Sequence, residues 1–84
     1  MSQKEKLIKK YTTYPLPVEV KFEEFVKYLE ICGFHQTAVK GSHHMFFHKE
    51  YNLNVSIAIM NGKNVKARYI EIVNELMKKR EAKS

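Results

Sequence analysis

The chain has 84 residues, 44% of them apolar, with five Tyr and five Phe; that suits one domain with a modest core and argues against a disordered chain. The formal charge is +6, and all nine acids are glutamate; a chain without aspartate is a poor match for magnesium nucleases, which gather Asp and Glu around a hard cation. No apolar run reaches the roughly 18 residues of a membrane helix, no secretory signal is visible, and a single cysteine, Cys32, rules out an internal disulfide, so the sequence points to a cytoplasmic protein with no membrane partner.

The charge is uneven. Residues 1–14 carry four Lys and one Glu, residues 61–84 seven Lys or Arg and three Glu, and residues 15–60 four Lys and five Glu. A basic balance of this kind favours anionic partners such as nucleic acid or an acidic protein.

Ser2-Gln3-Lys4-Glu5 has the form of a capping box and predicts a short helix over about residues 3–11. Pro15 and Pro17 restrict their neighbours to extended backbone, so a connector follows. Phe22, Phe25, Val26 and Leu29 keep the spacing of one helical face and predict a helix over 22–32. Glu23 and Glu24 suit its positive N-terminal end. Gly33 stands where a left-handed C-cap belongs, with Phe34 placed to fold back. Cys32, at the helix end with no cation evident beside it, reads as a packed thiol rather than a nucleophile.

Three strands are predicted next, over about 35–40, 43–48 and 53–60. In the second, His43, Met45 and Phe47 share one face and His44, Phe46 and His48 the other. In the third, Leu53, Val55, Ile57 and Ile59 point one way, with Asn54, Ser56, Ala58 and Met60 opposite. The links at 40–42 and 49–52 are short enough for hairpins, so the sheet is antiparallel. After the loop Asn61-Gly62-Lys63, Asn64 is a plausible N-cap for a helix from Val65 to about Lys79. The expected fold class is α+β: a minor helix, then α-β-β-β-α in two layers, with the helices on one side of the sheet. Residues 1–20 read as a helical extension and linker, 21–80 as the domain and 81–84 as a frayed tail.

Three of the four histidines fall at His43, His44 and His48, after a Gly41-Ser42 turn that offers a hydroxyl and backbone amides to a phosphate. A metal site is a poor fit. Neighbours His43 and His44 point to opposite faces, His44 and His48 lie roughly 13 Å apart at strand rise, and no further ligand set is apparent. Metal-free RNA cleavage fits better. RNA carries its own nucleophile, the 2′-hydroxyl, so cleavage needs a base, an acid and positive charge around the phosphate. Lys40, Lys49, Lys63, Lys66 and Arg68 could hold the phosphodiester. Residue types alone favour a plainer reading, in which the histidines make ordinary cross-strand contacts.

The run Gly41-Ser42-His43-His44-Met45-Phe46-Phe47-His48 resembles the Gly-Ser-His signature of HicA-type toxins, the mRNA interferases of bacterial toxin–antitoxin pairs. The resemblance covers about residues 4–79. Phe22 to Phe34 is similar to the family's first helix and glycine corner, Leu53 to Ile59 to its third strand, and Gly62 through Val73 to its loop and last helix. It implies a double-stranded-RNA-binding-domain-like fold, cleavage of mRNA with no cofactor or metal, and a HicB-type antitoxin as partner. It assigns the catalytic role to His43, directly after the Gly-Ser pair, with His44 as runner-up because some members carry their histidine one place later.

Overall fold

The computed structural model describes the backbone of residues 2–83 and the side chains of residues 2–79. Along the chain these residues form α1 (Gln3–Thr12), β1 (Glu19–Lys21), α2 (Phe22–Cys32), β2 (Phe34–Lys40), β3 (His43–His48), β4 (Leu53–Ala58), β5 (Asn64–Lys66) and α3 (Ala67–Lys83). The central sheet is antiparallel with order β2-β3-β4, as the two short links require. The α+β class and the three main strands expected from the sequence are present. No helix among the described residues is long and apolar enough to cross a membrane.

Two strands were not expected. β1 and β5 pair antiparallel, with Val20 opposite Val65, in a separate two-stranded sheet. This corrects the reading of Asn64 as an N-cap and of Val65 as helical: both lie in β5, and α3 begins at Ala67. Three residues with one buried position each are too few to show a period of two. The pair also supplies what the helix starts lack. The first N–H of α2, at Phe22, donates to the Lys63 carbonyl at 2.8 Å, and that of α3, at Ala67, donates to the Val18 carbonyl at 3.2 Å. Each helix is thus capped by backbone from the segment that leads into the other. α2 accordingly has no side-chain cap.

At the other end, α2 closes on Gly33, whose φ of 103° lies in the left-handed region. A Cβ there would stand 2.5 Å from His48 Nε2. Gly33 is therefore required twice, by its backbone angle and by the ring packed on it. α3 runs to Lys83, past the expected end near Lys79; Ser84, within the stretch read as a tail, lies outside the described residues.

The core joins all the layers. Phe25 and Leu29 of α2, Phe34, Phe46, Val55 and Ile57 of the sheet, and Val65, Ile70 and Val73 are all buried. These sheet residues share one face, so the helices cover one side and leave the other open. Tyr11 of α1 belongs to the same core: its ring is fully buried against Phe25 and Tyr28. Its hydroxyl donates to Glu24 Oε1 at 2.7 Å, and Lys10 Nζ reaches the same oxygen at 2.6 Å. Burial, reinforced by the Glu24 carboxylate, holds the Tyr11 hydroxyl far above its ordinary pKa. The Lys10 and Tyr11 hydrogen bonds hold Glu24 below its own. Asn74 of α3 completes the anchor, donating to the Tyr11 carbonyl at 2.7 Å and accepting from the Tyr28 hydroxyl at 2.6 Å.

Candidate functional site

The four histidines all lie in the central sheet, but their surroundings differ. His48 is buried. Its ring stacks on Tyr51 at 4.4 Å and meets Phe34 edge-on, and Nδ1 accepts the Tyr51 N–H at 3.1 Å. An accepting Nδ1 puts the proton of the neutral ring on Nε2. Such a ring is part of the packing. His44 points to the same, helix-covered side and is half-buried. Its ring lies 4.5 Å from that of Phe22, with Nδ1 3.4 Å from Gln36 Nε2.

His43 is different. It opens β3 on the uncovered face and is exposed, and its ring has no hydrogen-bond or aromatic partner among the described residues. Register sets Lys40 opposite it on β2 and Ala58 opposite it on β4, with Cβ separations of about 5 Å for such pairs. The turn before it is built for position. Gly41 takes the first central place with φ 59°, where a two-residue hairpin of type II′ needs glycine. The Ser42 carbonyl accepts the Ile59 N–H at 3.0 Å, tying the turn to the end of β4. Nothing stands within 4 Å of a Cβ built on Gly41. A phosphate could therefore approach its backbone.

The other residues expected at the site are spread out. Lys40, Gly41 and Ser42 are exposed beside His43. Lys63 is exposed in the turn after β4, and its carbonyl holds the start of α2 beneath Phe22. Lys66, on β5 opposite Glu19, and Arg68, in the first turn of α3, are exposed in the second sheet and its helix. Lys49 lies past the far end of β3, roughly 20 Å from His43 at strand rise. It is not a neighbour of that ring.

Sequence reading missed His35. An odd separation of five residues would put His35 and Lys40 on opposite faces of a regular strand. The register slips between Gln36 and Ala38, however, leaving Thr37 as an extra residue. That bulge turns both side chains outward, His35 beside Phe47 and Lys40 beside His43. Only the loss of strict alternation in β2 hinted at it. The three strands also contain no carboxylate: every glutamate lies outside residues 34–40, 43–48 and 53–58. The open face is thus free of acids from its own strands.

No three or more His, Cys or Glu side chains among the described residues are placed to hold one metal ion. A groove of about 500 Å³ between the helices, lined by Ile8, Tyr28, Cys32, Asn74 and Met77 among others, includes no residue of the central sheet. Compared with protein-family models, curated proteins and solved structures, the chain has no significant match.

Proposed function

We propose that the chain is a metal-independent endoribonuclease, an mRNA interferase of HicA type, with His43 as its general acid or base. The observation that carries this reading is the exposed, unpartnered His43 ring beside Lys40 and the Gly41-Ser42 turn, on a sheet face whose strands hold no acid. His44 and His48 have neighbours that occupy their rings, which favours His43 over His44.

In the proposed reaction a neutral imidazole takes the proton of a ribose 2′-hydroxyl. The freed oxygen attacks the adjacent phosphorus, forming a 2′,3′-cyclic phosphate as the bond to the 5′-oxygen breaks. That leaving oxygen takes up a proton, from an imidazolium or from water. General acid–base help of this kind contributes about 10²- to 10⁴-fold. Lys40 sits where it would offset charge on the phosphate. Gly41 and Ser42 would line its approach, and Lys63, Lys66 and Arg68 would meet RNA further from the bond that breaks. Such an enzyme acts on mRNA in the cytoplasm, and a HicB-type antitoxin would be the protein that silences it.

A second reading keeps the RNA and drops the chemistry: a double-stranded-RNA-binding-like module that reads shape and phosphates. The basic charge and the acid-free strands support it equally. Inducing wild type and His43→Ala in bacteria separates the two. The nuclease reading expects growth arrest from the wild type alone, whereas equal arrest by both proteins removes His43 from the mechanism. Labelled RNA that stays intact yet binds in a salt-sensitive way supports the second reading.

A further inference from the structure

On the uncovered face of the central sheet, β3 presents His43, Met45 and Phe47 in a row. Met45 and Phe47 belong neither to the buried core nor to the side chains packed against it, although both are large and apolar. Their direct neighbours on that face are Ala38 and Ser56 beside Met45, and His35 and Asn54 beside Phe47. All four are small or polar. The bulge in β2 adds His35 to this face, and no glutamate occurs in any of the three strands. The result is an apolar strip, half-buried at Met45 and Phe47, bordered by imidazoles and Lys40 and running from His43 for roughly 13 Å at strand rise.

We propose that this strip is a base-stacking platform. Unpaired bases of RNA would lie on Phe47 and Met45, while the backbone passes His43 and Lys40. An aromatic ring on an open sheet beside cations is the recurrent solution for gripping single strands, because every base has a π-face and the backbone is anionic. A carboxylate among the rings would repel the backbone, and the three strands contribute none; Glu50, in the turn after β3, lines a hollow with His35 at the far end from His43. A three-stranded sheet with one Phe and one Met, both half-buried, has room for about two bases, compared with two or three on a four-stranded one. The substrate is then single-stranded RNA, because bases already stacked in a duplex cannot reach Phe47. The inference rests on His43 as the reactive group of the proposed nuclease, since it orients the strand relative to that ring.

The test is fluorescence anisotropy with the full chain and a short labelled oligoribonucleotide carrying 2′-O-methyl groups, which bind but cannot be cut. Phe47→Leu keeps the apolar volume and removes the ring. Ser56→Glu, at an exposed position beside Met45, leaves the core untouched and adds the missing negative charge. Both are expected to weaken single-strand binding at least about fivefold, with the same strand annealed to its complement binding more weakly than the free strand to wild type. Unchanged single-strand binding by both variants overturns the platform, as does a duplex that binds as tightly as the free strand. If Phe47→Leu alters self-association in sedimentation while RNA binding stays the same, the face is a protein interface and the proposal fails. Cleavage of unmodified RNA keeps the two ideas apart. Weakened binding by the variants without cleavage by wild type removes the nuclease and leaves the platform. Cleavage with KM unchanged in both variants does the reverse.

Discussion

Gly33→Ala is the sharpest test of how α2 is joined to the sheet. The added methyl would stand 2.5 Å from His48 Nε2 and 2.9 Å from Cδ2, inside any tolerable contact, so the ring must move. It has little freedom to do so, being stacked on Tyr51, set against Phe34 and bonded through Nδ1 to the Tyr51 N–H. A non-glycine residue at φ 103° costs about 1–2 kcal/mol. Losing the Tyr51 hydrogen bond adds about 1 kcal/mol, and overpacking at least about 1 kcal/mol more. The total is at least about 3 kcal/mol, which lowers Tm by at least about 12 °C in a domain of this size. Urea unfolding of the four proteins in the Gly33→Ala, His48→Ala cycle measures it. In the His48→Ala background the clash is gone, and the Gly33→Ala penalty should fall to the backbone share of about 1–2 kcal/mol. An equal penalty in both backgrounds, or one under about 1 kcal/mol with His48 intact, would refute the account of this joint.

The other predictions concern the site and the N-terminal helix. His43→Ala should change stability by no more than about 0.5 kcal/mol, since the exposed ring has no hydrogen-bond or aromatic partner among the described residues, while RNA cleavage falls about 10²- to 10⁴-fold; thermal melting and a cleavage assay on one preparation show whether the two separate. Tyr11→Ala should cost about 3–5 kcal/mol and Tyr11→Phe about 1.5–3 kcal/mol, because the ring is fully buried whereas the hydroxyl makes one bond to the Glu24 carboxylate; near-equal losses in chemical denaturation would show that α1 is held by its polar contacts instead. Glu24 has its pKa lowered in the fold, first by Lys10 and then by Tyr11. A depressed carboxylate gives stability that is present above its ordinary value of 4.5 and lost as pH falls through its lower folded value. Both Lys10 and Glu24 are over a third exposed, so the contribution is small after screening. Lys10→Met should flatten the acid limb of the stability profile slightly, and an unchanged limb would remove the pair from the account.

Much of the fold was legible because its signals are local and repeated. The Phe22 to Leu29 stripe, the glycine after it and the alternation in β3 and β4 each follow from neighbouring side chains, and each corresponds to an element with nearly the expected bounds. Alternation also put His43 and His44 on opposite faces. It could not say which face the helices cover, because His43, Met45 and Phe47 are more apolar in sum than His44, Phe46 and His48, so β3 taken alone points to the wrong face. That depended on β4, where Val55 and Ile57 face the same side as Phe46 and His44, and on Phe22 closing over the latter.

By itself the sequence determined the local periods and hence the helices, the hairpins and the place of a histidine directly after a glycine turn. Tertiary structure alone decided the rest, because the remaining choices turn on partners distant in sequence. Val20 finds Val65, Tyr11 finds Phe25, Glu24 and Asn74, and one unpaired residue in β2 brings His35 round to the face of His43. A strand of three residues or a single bulge has no period of its own, and only the opposing chain gives it a register.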